Sequence, residues 1–260
     1  LLVTAAIPVG AFGALRLARQ VGAERTGMIM AGLAYGANPV ARNAIAQGRL
    51  GPLVMFALAP YLVLLLVRVG GFDPEARTGR RQLLGLAIGT AVATAWFPPA
   101  ALLVVAAAVA LILASVVVGG TGAAFRALGA AVVGAAGAAV LLMPWTFNAA
   151  HATTDRAAFG FAFYPHVTFS QAIRFDTGPA GSGVAPLGLL AAAALALLLS
   201  NGPRLRWATR AWMLTLLAWA AVVVPTRLAP GTAGSAPEGV LSLGALGVAV
   251  AGGLAVSSLR

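Results

Sequence analysis

The sequence has no cysteine and no lysine. Without cysteine, disulfides and thiolate-bound metals are excluded. Without lysine, so is a P-loop nucleotide site, whose glycine-rich loop works together with that residue. Charge of either sign is scarce: 9% of the 260 residues are charged, and only six are acidic. A soluble domain carries about 25% charged residues, so this chain cannot cover a water-facing surface. No GxSxG elbow, HExxH zinc motif or run of paired carboxylates is present. No basic segment followed by a short apolar core and a cleavage site opens the chain. It starts at Leu1, inside an apolar run, and is expected to be a piece of a longer protein.

What is present is apolar surface. Hydrophobic residues make up 60% of the chain, and the mean hydropathy is +0.94. The expected fold is all-α: a polytopic membrane helix bundle forming a single membrane domain over 1–260. A spanning helix needs about 20 apolar residues. Segments 1–15, 26–37, 52–70, 82–97, 98–118, 126–144, 185–200, 208–225 and 240–258 are candidates, giving about eight to nine spanning or re-entrant helices. Residues 145–184 form one long outer loop. The break at Phe97-Pro98-Pro99 separates two runs, because proline cannot continue a helix from the preceding turn.

All 17 basic residues are arginine, which with the abundance of Ala, Gly, Val and Leu suits a GC-rich bacterial coding sequence. An isoelectric point near 11.8 suggests nucleic acid in a soluble protein, but no basic cluster is dense or aromatic enough to bind it. Membrane topology accounts for the excess instead. Twelve arginines fall in one set of alternate loops and five (Arg42, Arg49, Arg156, Arg174 and Arg227) in the other. The positive-inside rule places the twelve in the cytoplasm of a multi-pass plasma-membrane protein. This assignment flips downstream if 82–97 is re-entrant.

The polar features then gather on the outer face. Loop 145–184 holds both histidines, His151 and His166, and the carboxylates Asp155 and Asp176. His151 and Asp155 are four apart and share one face of a helix. With His166 they have the residue types of a two-histidine, one-carboxylate metal site, without diagnostic spacing. No metal is assigned. The same groups suit proton transfer, with Asp orienting His, and hydrated loop residues are the plainer alternative. A carboxylate here can also deprotonate a sugar hydroxyl; Asp155, Asp176 and Glu238 are the outer candidates. Asp176 sits in RFDTGPAGSG, where a turn or cap role competes. Phe159, Phe161 and Phe163 alternate as in an extended segment, within an aromatic set that suits a membrane-interface belt or a platform for sugar rings.

The stretch NPVARNAIAQGRLG, 38–51, reads as a short amphipathic helix. Asn38 caps it, Pro39 suits its first position and Gly48 ends it. Val40, Ala41, Ala44 and Ile45 fall on one side, and Arg42, Asn43, Ala46 and Gln47 on the other. The apolar run before it, 26–37, reaches only about 18 Å. Either that run starts within the inner headgroups, or the short helix sits below the outer surface. An arginine at that depth needs a watery groove or an anionic partner. Its planar fork suits phosphate, although a surface helix touching headgroups fits as well.

ANPVARNAIAQGRLGPLVMFALAPYLVLLL, AWFPPAALLVV, MPWTF and IRFDTGPAGSG together resemble the membrane region of large actinobacterial family-2 glycosyltransferases. Asn43-Ala44-Ile45-Ala46-Gln47-Gly48-Arg49-Leu50 is also similar to a pattern of GT-C-like, polyprenyl-dependent arabinofuranosyltransferases. The resemblance implies the membrane-embedded part of a cell-envelope glycosyltransferase, holding a polyprenyl-phosphate-linked sugar or glycan in an outward-facing groove. A cytoplasmic transferase domain of the same chain is an implied partner. Asn38, Arg42, Asn43, Arg49 and Arg174 are then the expected phosphate contacts. Asp176 or Asp155 is the expected base, with His151 or His166 assisting. Neither a nucleotide-sugar DxD motif nor a carboxylate in the first outer loop, 38–51, is present. A flippase of lipid-linked glycan, or a non-catalytic membrane anchor, is the alternative.

Overall fold

A computed structural model describes residues 2–72, 79–143, 145–146, 161–162, 167–181, 185–228 and 234–259. These residues are almost entirely helical. Leu2–Gln20 forms α1, Arg25–Gly36 α2, Pro39–Ala46 α3, Leu50–Gly70 α4, Arg80–Trp96 α5, Ala100–Val118 α6 and Thr121–Leu141 α7. Phe169–Arg174 forms α8, Ala185–Leu199 α9, Gly202–Leu228 α10 and Pro237–Ser258 α11. Phe161–Ala162 (β1) pairs antiparallel with Gly234–Ser235 (β2), so the extended segment expected from the alternating phenylalanines is found at Phe161.

Among the described residues, five helices are long and apolar enough to cross a membrane: α4, α6, α7, α11 and the Gly202–Val224 part of α10. Their outer faces fit that role. Leu102, Val116 and Val117 of α6 and Val140 of α7 are exposed aliphatic side chains, which water would penalise and hydrocarbon would not.

The center is α11, which packs on α2, α4, α9 and α10 and is buried along almost its whole length. Small residues permit this. A Cβ on Gly27 of α2 would collide with the Gly253 carbonyl and Ser257 of α11, and one on Gly247 with Ala211 and Thr215 of α10. Without a hydrophobic drive between helices in lipid, such close backbone approach supplies the contact.

Proline within a helix strips a partner from the carbonyl four residues earlier. Pro60 of α4 does this to Phe56. The Tyr35 hydroxyl of α2 donates to that Phe56 carbonyl at 2.7 Å, and the two rings stack with centroids 4.2 Å apart. The carbonyl freed by Pro60 is thereby satisfied by a neighboring helix.

The bundle has two chemically distinct ends. At one, Arg68 bonds Gln20, Arg126 the Gly70 carbonyl, and Arg204 both Glu24 and the Ser257 carbonyl. We call this the arginine-rich end. The other carries α3, the Phe97 turn, residues 167–181 and the start of α11.

Candidate functional site

The short helix forms as its sequence dictates. The Asn38 side chain accepts from the Val40 amide at 3.1 Å, Pro39 takes the first helical position, and Gly48 adopts φ +66°. The Gly48 amide returns to the Ile45 carbonyl and the Arg49 amide to that of Ala44, closing a Schellman motif. The expected helix ends at Ala46 rather than Gly48.

Its depth follows from length. The twelve residues of α2 rise about 18 Å, and with the eight of α3 about 30 Å. α3 follows α2 after a two-residue break and contacts α4 and α11. The short helix packs into the bundle: Asn38, Val40, Ala41, Asn43 and Ala44 are all buried.

The expected faces need one correction. Asn43 is fully buried while Ile45 is 38% exposed. Asn43 turns inward because a distant loop supplies polar partners for it. Its Nδ2 donates to the Phe175 carbonyl at 3.3 Å, and its Oδ1 accepts from the Ala180 amide at 3.1 Å. Gln47, one turn on, donates to the Thr177 carbonyl at 3.2 Å and to Glu238 Oε1 at 2.9 Å.

Glu238 is the focus of this cluster. It is 0% exposed and sits in the first turn of α11, directly after Pro237. The positive end of the helix dipole favors a carboxylate there. Arg49 Nη1 donates to Glu238 Oε1 at 2.9 Å and to Oε2 at 2.8 Å. A buried carboxylate needs such partners, because isolated charge in an apolar interior is prohibitively costly. Arg49 is the N-cap residue of α4, and its side chain stays 22% exposed, so the pair lies at the rim of the buried cluster.

The loop over this cluster is held tightly. Thr168 and Gln171 form a capping box at the start of α8. Phe175 then takes φ +56°, the one described non-glycine residue in that region. The Phe175 and Asp176 amides return to the Ala172 and Gln171 carbonyls, so a phenylalanine fills the usual glycine position of a Schellman turn. Its ring is buried and packs on Trp219 of α10, centroids 6.2 Å apart. Gly178 lies so close to Gln47 that a Cβ would overlap its amide. Thr177 Oγ1 and Trp219 Nε1 are buried with no hydrogen-bond partner among the described residues.

The expected site residues therefore separate. Asn38, Asn43 and Arg49 belong to one polar region, with Asn38 acting as a cap. Arg42 and Arg174 are exposed, and neither touches Glu238. Asp176 is half-buried in the turn after α8, the role its turn-rich context suggests. His151, Asp155 and His166 lie outside the described residues. No group of metal-ligating side chains is found among the described residues. Gln47 and Thr177 are additions, and Glu238, one of three outer carboxylates by sequence, becomes the central one. The sequence signal for it is a glutamate one residue after a proline at the start of an apolar run.

No family model, curated protein or solved structure matches the chain.

Proposed function

We propose that this chain is the membrane-embedded part of a cell-envelope glycosyltransferase, with its polyprenyl-phosphate-linked donor bound at the Glu238 end. The single observation that carries the reading is the Asn43–Gln47–Arg49–Glu238 cluster, built around a wholly buried carboxylate. Ionizable groups at such depth mark binding or catalytic sites. The arginine count puts this end outside the cytoplasm, where a lipid-linked donor is the available source of activated sugar.

The chemistry follows from the groups present. A phosphate entering at the rim competes with Glu238 for the Arg49 fork. Gln47 remains on the carboxylate and holds its orientation. Glu238, released from its cation, accepts the proton of an acceptor hydroxyl. That oxygen bonds to the anomeric carbon as the bond from that carbon to the phosphate oxygen breaks, and lipid phosphate leaves. Asp176, two residues from the Asn43-bonded Phe175, is the second carboxylate of this end.

The test is sugar transfer from a polyprenyl-phosphate donor by the full-length protein in membranes. Glu238→Gln and Arg49→Ala are each expected to lower the rate at least about a hundredfold, the scale of a lost general base. Arg42→Ala is expected to change it little. Full activity in both cluster variants would sink the reading.

One observation supports a second reading. A helix interrupted at Ala37–Asn38, with its freed groups satisfied locally, is the construction of transporters that bind substrate midway across the membrane. A flippase of lipid-linked glycan would move its substrate between leaflets without forming a glycosidic bond, so leaflet-resolved assay of the same lipid separates the two.

A further inference from the structure

The arginine-rich end contains a second anomaly, unrelated to the Glu238 cluster. Arg210 lies eight residues into α10, about 12 Å along its axis, and is only 7% exposed. No carboxylate among the described residues pairs with it: the two ion pairs found there belong to Arg49 and Arg204. Its guanidinium lies against both Phe72 and Trp207, at 4.6 and 4.7 Å from the ring centroids, and the two rings pack on each other with centroids 5.5 Å apart. Nη2 donates to the Gly119 carbonyl at 3.0 Å. Nε is buried with no hydrogen-bond partner among the described residues.

Ring faces and one carbonyl offset only part of the cost of burying a full charge. The surroundings add more positive charge. Arg206 is exposed and lies one turn earlier on the same face of α10. Arg126, also exposed, donates to the Gly70 carbonyl, two residues from the Phe72 ring that covers Arg210. The exposed turn at Gly119 and Gly120 leaves the guanidinium just beneath the surface, since a Cβ on Gly120 would lie 2.8 Å from Arg210 Nη2. On its inner side Arg210 borders a cavity of about 30 Å³ lined with Leu17, Val21, Val67 and Leu214.

We propose that Arg210, together with Arg206 and Arg126, binds the phosphate of an anionic membrane lipid in the leaflet at the arginine-rich end. A phosphodiester supplies the missing anion, presents oxygens that match the guanidinium edge, and brings acyl chains that suit the apolar flank. Basic pockets between membrane helices are recurrent sites for such headgroups. The two rings and the Gly119 carbonyl hold Arg210 in place, so the fork is oriented before the lipid arrives.

The experiment reads lipid retention. The protein is equilibrated in bilayers of phosphatidylcholine and phosphatidylglycerol, then transferred to neutral detergent, and retained phospholipid is counted by native mass spectrometry. The wild-type protein is expected to keep phosphatidylglycerol in preference to phosphatidylcholine, and Arg210→Gln to lose that retention about tenfold, a change of about 1.4 kcal/mol. Arg206→Gln with Arg126→Gln, both at exposed positions and safe for folding, is expected to weaken retention severalfold. Arg42→Gln, at the opposite end, is expected to leave it unchanged. Equal retention of the two lipids, or no loss in either set of variants, overturns the proposal. Displacement of the lipid by inorganic phosphate, with matching quenching of Trp207 fluorescence by phosphate alone, assigns the site to a soluble phosphate and overturns the lipid assignment.

Discussion

Arg49 and Glu238, 189 residues apart in sequence, meet through two hydrogen bonds from one guanidinium nitrogen to both carboxylate oxygens. The carboxylate is wholly buried and the arginine partly so. Removing Arg49 alone therefore strands a negative charge with only Gln47 beside it. Such a loss costs about 3–5 kcal/mol in a fully buried pair, and about 2 kcal/mol here given the arginine's exposure. Arg49→Ala should lower the melting temperature in detergent, and Arg49→Ala with Glu238→Gln should recover most of the loss. A double variant no more stable than the single one would show that the pair does not carry the effect.

Tyr35 and Pro60 form a dependent pair. Tyr35→Phe keeps the stacked ring but removes the donor from the Phe56 carbonyl, which Pro60 has left without a helical partner. The expected cost is about 1–2 kcal/mol, the penalty of one unsatisfied buried acceptor. Pro60→Ala should restore the helical bond, so the Tyr35→Phe, Pro60→Ala protein should lose less than Tyr35→Phe does. Thermal unfolding of the four proteins closes this cycle.

Phe175 holds a backbone conformation that costs a non-glycine residue about 1–2 kcal/mol, and its buried ring repays that. Phe175→Gly relaxes the backbone but gives up ring burial worth about 3–5 kcal/mol, so a net loss of stability is expected. Because the Phe175 carbonyl and the residues after it hold Asn43 and Gln47, the same change should loosen residues 176–181. Faster amide exchange there, compared with α11, is the measurement; unchanged exchange would detach the loop from its anchor.

Local chemistry was legible in the sequence and long-range pairing was not. The Asn38 cap, Pro39 and Gly48 predicted α3 almost to the residue, because capping depends on neighbors a few positions away. The short run 26–37 is matched by the twelve residues of α2. The face assignment of Asn43 failed for a physical reason: amphipathic reasoning sends asparagine toward water unless it knows that Phe175 and Ala180 will meet it. Glu238 was visible as a carboxylate, but nothing at its own position revealed Arg49 and Gln47. Arg210 is one of the twelve arginines assigned to the cytoplasmic side; Trp207 precedes it by three residues on α10, but no spacing connects Phe72 to either.

The α2–α11 contact gives the last prediction. Gly27 and Gly253 face each other so closely that a Cβ on either would meet the partner's backbone. Close by, the Ser257 hydroxyl accepts from the Glu24 amide at 3.0 Å. A side chain at Gly27 can displace the Ser257 hydroxyl but not the Gly253 carbonyl, and so must push α2 off α11. Gly27→Ala should cost about 1–3 kcal/mol, the usual range for overpacking a tight core, and Gly27→Leu more. Gly22, with φ +90° and open space where its Cβ would point, is the contrasting site: Gly22→Ala should incur only the backbone penalty of about 1 kcal/mol. If helix separation is the cause, Gly27→Leu should also shift Tyr35 away from Phe56, since both contacts hold α2 against its neighbors. Tyrosine fluorescence and melting temperature should then fall out of step in Gly22→Ala and change together in Gly27→Leu.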